Sequence, residues 1–366
     1  AGQACINARL AAQLGVAPGD AILLRLPKPS RLSRDAPIAP QEDSSVAIRV
    51  VVHRVLSDAE FGRFGLSANQ VAPMSAWLSR SFLARQLELD QRANLLLAAR
   101  DQNLPVGIDR ATAALRQAWA LDDAQLELRS VQAQETELRT ARVFLDAPVA
   151  DAVLQLEPEG RGILTYLVNE LRLAAHAAPY SMVAALNAPF MPPDMGPDEI
   201  LINDWLAEDL GAQPGDTINL RYYVVGPRRQ LQEEQRAFRV RGVLPLAGPA
   251  TDPDLMPEFP GLSTAQNCRD WDAGFPIDID RIRPKDEKYW DDHRGTPKGF
   301  VTLAAGQQMW ANRFGNLTAI RFPKPAGPPA ALGEKLRAAL DPSAAGLFWL
   351  PVGEQAATAS GESLDF

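Results

Sequence analysis

Apolar residues near the start of the chain follow first a helical spacing and then a strand spacing. Three of them recur every three to four residues, as on the buried face of a helix: Leu10, Ala11 and Leu14. Three more alternate with other residues, as in a strand with one buried face: Ile22, Leu24 and Leu26. The pattern predicts a short helix, a turn and a strand.

The same pattern returns about two hundred positions later. Residues 6–26 read INARLAAQLGVAPGDAILLRL and residues 202–222 read INDWLAEDLGAQPGDTINLRY, with 12 of 21 aligned positions identical. The second copy repeats both apolar spacings, through Leu206, Ala207 and Leu210, and then Ile218, Leu220 and Tyr222. An agreement this close indicates an internal repeat.

The repeat continues more weakly to the end of the chain. Similar pairs are residues 46–56 with 237–246, 74–87 with 300–314, and 115–131 with 336–352. The offset between copies grows from 196 at Ile6 to 222 at Asn94, so the second copy carries 26 additional residues. We assign them to residues 245–297, called the inserted segment below.

These patterns predict an α+β fold of two pseudo-repeated α+β lobes joined by a mixed connecting segment. The predicted divisions are a first lobe, a connecting segment, a second lobe with the inserted segment 245–297, and a juxtamembrane tether: residues 1–131, 132–200, 201–352 and 353–366. In each lobe a second strand, a helix, a third strand, a helix near 110–119 or 330–340 and a last strand complete the copy. The connecting segment is predicted to hold a helix and two strands followed by a proline-rich linker: residues 148–156, 163–168, 180–186 and 189–197.

Matched turns follow the two predicted helices. Asn7 and Asn203 are suited to cap the helix starts, and Gly15 and Gly211 to end the helices in a left-handed conformation. The turns themselves are Pro18, Gly19 and Asp20, and Pro214, Gly215 and Asp216. Aspartate after Gly commonly bonds nearby backbone N–H groups, so we assign these residues a structural role rather than a catalytic one.

Composition narrows the function classes. The chain has 366 residues, a mass of 39.8 kDa and a net charge of −8, which argues against nucleic-acid binding because affinity for phosphates needs positive charge. No apolar run approaches the roughly 18 residues of a membrane helix. The cysteines, Cys5 and Cys268, form either a pair in an oxidising compartment or two separate thiols.

Motifs for enzymatic chemistry are missing from the sequence. It contains no phosphate-binding GxxxxGK[ST] loop, no Rossmann glycine pattern and no GxSxG elbow. The three histidines lie outside HExxH and His-x-His patterns, and we expect structural roles for His53 and His176. We therefore predict no catalytic residue, no metal site and no cofactor.

The inserted segment is the part of the chain with the most open interpretation. Its acidic residues are dense enough to bind a hard cation, but interleaved basic residues favour ion pairs within a surface loop: Asp270, Asp272, Asp278, Asp280, Asp291 and Asp292. Four aromatic residues either pin this loop to its own lobe or form a contact surface for a partner or ligand: Trp271, Phe275, Tyr289 and Trp290.

Five stretches resemble a known family. Besides the two PGD phrases, these are GILTYLVNELRLAAHAAPYSMVAAL at 162–186, FPGLSTAQNCRDWD at 259–272 and RGTPKGFVTLAAGQQMWANRFGNLTAIRF at 294–322. Together they resemble the large extracytoplasmic domain of FtsX-like ABC transporter permeases of the macrolide-exporter and lipoprotein-releasing type. The resemblance spans nearly the whole chain, although the inserted segment makes this domain longer than the common form.

The resemblance implies a non-enzymatic periplasmic domain between the first and second membrane helices of a permease in the bacterial inner membrane. The start at Ala1 rather than Met is then expected of a piece of a longer protein. Implied partners are a cytoplasmic ABC ATPase subunit, a second permease copy or a paralogue, and an accessory periplasmic protein. Two other hypotheses stay open: a freestanding periplasmic module that binds a carbohydrate or peptide, and a hydrolase or metal-dependent enzyme that uses the acidic cluster at 270–293.

Overall fold

The computed structural model divides the chain into two compact units. It describes residues 2–27, 45–67, 71–89, 92–98, 107–131, 135–226, 230–259, 261–263, 265–271, 276–323 and 329–362. The described residues up to Ala114 and from Phe348 onward form one unit, called the terminal unit. Residues Leu115–Leu347 form the other, called the central unit. Among the described residues, no helix combines the length and the apolar character needed to cross a membrane.

The terminal unit is built on a four-stranded sheet. Its elements are β1 Gly2–Asn7, α1 Ala8–Leu14, β2 Ala21–Pro27, β3 Ser45–Leu56, β4 Ala76–Leu78, α2 Arg80–Gln86, most of α3 Ile108–Ala118, and α9 Val352–Glu362. The strand order is β2-β3-β1-β4, with β1 parallel to β3 and the other pairs antiparallel. Alternate strand residues such as Ile6, Ile22 and Val50 form its core, as their period of two requires.

The central unit contains a nine-stranded sheet. Its elements are β5 Leu126–Ser130, β6 Thr136–Thr140, α4 Ala147–Leu156, β7 Arg161–Leu173, β8 His176–Leu186, β9 Glu199–Asn203, α5 Asp204–Leu210, β10 Thr217–Val225, β11 Leu231–Leu244, α6 Pro284–His293, β12 Gly299–Thr302, α7 Leu303–Trp310, β13 Ala319–Phe322 and α8 Pro329–Ala339. The strand order is β10-β11-β9-β12-β8-β7-β13-β6-β5. Because β10 also pairs with β7, the first six strands close into a barrel-like sheet. The predicted mixed α+β class is confirmed.

Both faces of the barrel strands β7 and β8 are buried, each in a different core. On β7, Leu164 belongs to the main core while Ile163 belongs to a smaller second core. On β8, Val183 and Ala184 divide in the same way. Successive side chains of a strand point to opposite faces, so the second core lies on the face of the sheet opposite the main core. Continuous apolar runs in these strands follow from this double burial.

The two copies of the repeated sequence share their element order and strand pairing. In the terminal unit the order is β1-α1-β2-β3, and in the central unit it is β9-α5-β10-β11. In both, the first strand is parallel to the last, with a register shift in the pairing, and the second strand is antiparallel to the last. A further strand, β4 or β12, pairs antiparallel with the first.

The predicted elements of the connecting segment are present. The predicted helix at 148–156 corresponds to α4, and the predicted strands at 163–168 and 180–186 lie within the longer β7 and β8. Residues 187–198, which include the proline-rich linker, form turns. β7 and β8 are barrel strands, so this segment belongs to the central unit and the contact division does not coincide with the predicted boundaries at 131 and 200.

The later parts of the repeat diverge. The predicted last strand of the first copy is β5, which pairs with β6 in the central unit. Residues 347–351, the aligned part of the second copy, contain no strand, and the described residues 92–98 contain none either. The predicted last strand of the second copy was wrong because pairing partners, which the local pattern does not encode, decide whether a short apolar run becomes a strand. The predicted third strand of the first copy falls partly on residues outside those that the structure describes. The predicted tether is helical as far as Glu362.

Candidate functional site

The Pro-Gly-Asp turns have nearly the same geometry in both units. Gly19 and Gly215 have φ of 98° and 101°, and the N–H groups of Asp20 and Asp216 bond back to Ala17 and Gln213 at 3.1 Å. Proline at the second turn position and glycine at the third, with positive φ, define a type II turn. In each copy the glycine N–H also donates to the carbonyl of a residue in the second strand of the following hairpin, Val52 of β3 or Val240 of β11, at 2.8 Å.

The two turn aspartates serve the backbone. Asp20 Oδ2 accepts from the Ala17 N–H, and Asp216 Oδ2 accepts from the Gln213 N–H, each at 2.8 Å. Each carboxylate therefore bonds a backbone N–H three residues earlier, as expected of an aspartate that supports a turn. The structure thus gives the predicted turn residues an architectural environment, in two different units.

The inserted segment places its described aromatic residues in the interior. Tyr289 and Trp290 lie on α6 and are each 5% exposed, so they do not form an exposed contact surface. Trp271 is partly buried and packs edge-on against Trp290, with ring centroids 4.9 Å apart. The Tyr289 ring packs against Trp205 of α5 at the same centroid distance. These contacts pin the segment to its own unit; Phe275 lies outside the described residues.

Carboxylates of the inserted segment bond within the chain. Asp286, a residue that the sequence analysis did not single out, pairs with Arg283, which also pairs with Asp209 of α5 at 2.7 Å. Asp292 pairs with Lys288 at 2.6 Å, and Asp278 accepts the N–H of Asp280 at 3.2 Å. Asp270 accepts a hydrogen bond from Asn267. No group of three or more metal-ligating side chains is found in the part of the chain that the structure describes, and Asp272 lies outside it.

A buried lysine lies beside these aromatics. Lys298 is 4% exposed, and its Nζ lies 4.1 Å from the ring centroid of Trp205 and 4.6 Å from that of Tyr289. The nearest carboxylate oxygen, on Asp286, is 3.9 Å away. Burial lowers the pKa of Lys298 to about 8, and Asp286 opposes this shift. The lysine is therefore held by cation–π contacts and one loose ion pair.

Neighbouring groups around Lys298 are poorly reactive. Burial first, and Glu287 second, raise the pKa of the Cys268 thiol, which is a free cysteine like Cys5. Burial also raises the pKa of the Tyr289 hydroxyl. The cavity that these residues line has a volume of about 30 Å³, space for a water molecule but not for a substrate. We interpret this cluster as structural.

A larger cleft lies over the second core. Its volume is about 410 Å³, within the range of small-molecule sites. The apolar wall consists of side chains from β7, the end of β8, the turn after it and the start of the inserted segment: Ile163, Leu186, Pro189, Phe190 and Leu255. Asn187 and Gly248 are exposed lining residues, whereas Leu186 and Leu255 are buried. The cleft is therefore a deep apolar cavity with an open edge.

One end of the cleft is charged. Arg321 of β13 lines it and is 9% exposed; its Nε donates to Glu137 Oε2 at 2.7 Å and its Nη1 donates to Asp252. Burial disfavours the charge of Arg321, but Glu137 and Asp252 outweigh that effect and raise its pKa above the ordinary value. Arg129 reaches the same Glu137 at 2.7 Å and binds Asp254 at 2.9 Å.

One donor at this end lacks an acceptor. Arg321 Nη2 is buried and has no hydrogen-bond partner among the described residues. Leaving a buried donor without a partner costs about 1–3 kcal/mol of folding free energy. A bound molecule that supplies an acceptor would remove this cost, so its binding would be favoured. The remaining pair at the cleft is Arg161 with Glu135, at 3.2 Å. This cleft combines an apolar wall with an unsatisfied polar group, which are the features of a binding site.

Sequence analysis did not single out the cleft residues. Arg321 occurs in a strand-like stretch, AIRF, where a lone basic residue between apolar ones indicates a buried ion pair. Arg161 lies between two glycines and carries no comparable signal. Lys298 lies in the GTPKGF stretch that carries the family resemblance, but no chemical role was assigned to it. His53 and His176 are exposed and His293 is partly exposed, and their positions do not bring them to the cleft lining.

Comparison with known proteins adds no family assignment. A scan against protein-family models matches no family, and a search of curated proteins finds no match to the chain. The function is therefore inferred from the geometry of the cleft and from the repeated strand–helix–strand arrangement.

Proposed function

We propose that this chain is the extracytoplasmic domain of an FtsX-like ABC transporter permease and acts by binding rather than by catalysis. The observation that carries the proposal is the cleft of about 410 Å³, which has an apolar wall and an unpaired buried donor but no nucleophile–base pair among its lining residues. In this role the domain binds a ligand or partner outside the cytoplasm. A separate cytoplasmic ATPase subunit hydrolyses ATP, and a second permease copy or paralogue completes the transporter.

The path of the chain through the two units supports this placement. Both ends of a domain inserted between two consecutive membrane helices return to the membrane, which is simplest when they lie in one compact unit. The terminal unit contains both Gly2 and Glu362. Conformational change in the membrane part would then act first on the terminal unit, and the central unit would carry the ligand.

The repeat supports a finer proposal about the fold. We propose that residues 6–131 and 202–352 are diverged copies of one α+β lobe, although the last strand of the first copy pairs in the central unit. Support comes from the shared strand pairing around α1 and α5 and from the nearly equal φ values of Gly19 and Gly215. A duplicated domain of this kind suits a protein in which one copy keeps the anchoring role and the other acquires the cleft.

A freestanding periplasmic binding module is the second candidate, because the cleft favours binding regardless of anchoring. Metal-dependent hydrolysis receives no support, since the carboxylates of Asp278, Asp286 and Asp292 bond to the chain itself. Membrane attachment separates the two binding hypotheses. The permease hypothesis requires apolar segments of about 20 residues on both sides of this region in the complete reading frame.

The experiment is cysteine labelling of the complete protein in intact cells. Asp151 lies on the exposed face of α4, so Asp151→Cys in a background with Cys5→Ser, Cys268→Ala and any cysteine outside this region replaced by serine presents one accessible thiol. With the outer membrane permeabilised, a membrane-impermeant maleimide should label this cysteine and leave a cytoplasmic control thiol unmodified. Fractionation should recover the protein with the inner membrane. Labelling only after lysis would overturn the proposed location, and labelled protein in the soluble periplasmic fraction would favour the freestanding module.

A further inference from the structure

The chemistry of the cleft restricts what it can bind. Its wall is supplied by aliphatic and aromatic side chains, of which Ile163, Leu186 and Leu255 are at most 5% exposed. Apolar wall atoms gain contact with the apolar body of a ligand and lose contact with water. The volume of about 410 Å³ suits a small molecule rather than a folded protein element.

The charge balance at the polar end argues against a charged ligand. Three arginines, Arg129, Arg161 and Arg321, form ion pairs with four carboxylates, on Glu135, Glu137, Asp252 and Asp254. The arginines are thus already neutralised, so a carboxylate or phosphate would add a negative charge that finds no free cation in this network. A cationic ligand would leave the Nη2 donor of Arg321 without an acceptor.

We propose that the cleft binds an uncharged, mostly apolar small molecule whose carbonyl or hydroxyl oxygen accepts a hydrogen bond from Arg321. Nη2 exposes less than 1 Å² to solvent, so it meets such an oxygen through a small shift of the guanidinium. An uncharged oxygen adds no charge beside the ion pairs of Arg321 with Glu137 and Asp252. Acyl esters and amides with a medium-length apolar chain are the chemical class that meets both conditions. Binding of this kind does not require that the chain be anchored in a membrane.

Three probes with the same ten-carbon chain separate the alternatives. Monodecanoylglycerol is uncharged and carries an ester carbonyl, decanoate is an anion, and decyltrimethylammonium is a cation without an acceptor. Calorimetric titration of the purified chain, below the micelle concentration of each probe, should give the tightest binding for monodecanoylglycerol. We expect the ammonium probe to bind at least about tenfold more weakly, because it offers no acceptor to a charged donor. Decanoate should also bind at least about tenfold more weakly, because its charge loses water beside arginines that are already paired with carboxylates. Equal or tighter binding of decanoate overturns the proposal.

A substitution at the edge of the cleft locates the binding. Asn187 is exposed and lines the cleft, so Asn187→Trp should obstruct it and weaken monodecanoylglycerol binding at least about tenfold without loss of the thermal transition. The matched control is Asn219→Trp, at an exposed position of β10 that does not line the cleft, and it should bind as the unchanged chain does. Equal binding by both variants would place the ligand elsewhere and sink the proposal.

A second variant tests the hydrogen bond itself. Arg321→Lys keeps the positive charge opposite Glu137 and Asp252 but removes Nη2, so monodecanoylglycerol should bind about tenfold more weakly. Butylbenzene, an apolar probe with no oxygen, should bind both proteins equally. A structural role alone would reduce both affinities together, and unchanged ester binding would exclude Arg321 as the donor. If Arg321→Lys does not fold, the three-probe comparison and Asn187→Trp decide.

Discussion

Single buried polar residues in the central unit show how the tertiary environment changes the chemistry of a side chain. Lys298 and Arg321 are both nearly fully buried, yet their pKa values shift in opposite directions. Arg321 has two close carboxylates, whereas Lys298 has one carboxylate at 3.9 Å and two aromatic rings. The close ion pairs of Arg321 raise its pKa by more than burial lowers it. The cation–π contacts and the loose ion pair of Lys298 are too weak to cancel the lowering of its pKa by burial.

The lowered pKa of Lys298 predicts a dependence of stability on pH. In the unfolded chain a lysine keeps its proton up to an ordinary pKa of 10.5, but in the folded chain Lys298 releases it near pH 8. Between these values the unfolded state binds more protons, so the free energy of unfolding rises with pH. Relative to Lys298→Met, we expect the native chain to gain about 1 kcal/mol between about pH 7.5 and pH 9, measured by urea unfolding.

The window for this measurement ends near pH 9. Cys268 has a raised pKa in the fold, so above its ordinary value of 9.0 it favours the unfolded state and opposes the effect of Lys298. Lys288→Met is the control, because Lys288 is exposed and pairs with Asp292, which raises its pKa rather than lowering it. A native chain whose pH slope equals that of Lys298→Met would show that Lys298 does not titrate in this range.

Among the repeated elements, the helix–turn–strand motif that begins with α1 or α5 differs least between the two copies. Asn7 and Asn203 cap α1 and α5 with φ of −80° and −77°, and Gly15 and Gly211 end these helices at 65° and 68°. The Asn side chains also donate outward, Asn7 to Gly62 and Pro73, and Asn203 to Tyr289 and Pro297. Each copy therefore uses the same residue to cap a helix and to hold the chain that follows the third strand.

The turn glycines give a direct test of this geometry. A Cβ at Gly19 or Gly215 would contact nothing within 4 Å, so the cost of Gly→Ala comes from the backbone conformation near φ of 100° alone. We expect each substitution to lower the free energy of unfolding by about 1 kcal/mol or more. Circular dichroism during urea unfolding measures this change.

Helical glycines in the same two units serve as controls for the turn variants. Gly353 in α9 and Gly333 in α8 have no positive φ, and an added Cβ would meet nothing closer than 3.4 Å at either position. Alanine there should leave stability unchanged or raise it by up to about 1 kcal/mol. Turn variants as stable as these controls would mean that the turns do not hold their glycines at positive φ.

For the whole molecule, the inserted segment proves to be part of the central unit's framework. Asp252 pairs with Arg321, Arg283 pairs with Asp209, and Tyr289 accepts from Asn203. In the terminal unit the equivalent Asn7 bonds to Gly62 and Pro73, in the shorter stretch between β3 and β4. The inserted segment thus occupies the same position in the second copy as the shorter stretch between β3 and β4 occupies in the first.

Deletion of the inserted segment should therefore unfold the central unit. Leu244 and Lys298 both flank Asn203 of β9, on its two sides, so their backbones lie about 10 Å apart and a short Gly-Ser linker can join them. We expect the shortened chain to lose the cooperative thermal transition of the central unit. The same linker placed between Ala174 and Ala175, in the exposed turn between β7 and β8, should be tolerated. Cooperative melting of the shortened chain would make the segment a separable contact element.

The repeated helix–turn–strand motif could be predicted from the local sequence, because each residue that specifies it acts over only a few positions of the chain. The spacing of Leu206, Ala207 and Leu210, the capping Asn203 and the turn glycine Gly215 each determine backbone conformation within one or two turns of the chain. For the same reason α4, β7 and β8 were predicted correctly from their apolar runs. The resemblance to permease domains remains a prediction that the labelling experiment tests.

Tertiary structure decided the closure of the barrel and the content of the cleft. The pairing of β10 with β7, which closes the barrel, joins segments about fifty positions apart, and Arg321 meets Glu137 across 184 positions. Local patterns do not specify such partners, because which strands pair depends on the burial of all of them together. Tyr289 and Trp290 are buried for the same reason. An aromatic residue that binds a partner and one that fills a core have the same appearance in sequence. Only the interior volume that the folded chain offers distinguishes the two outcomes.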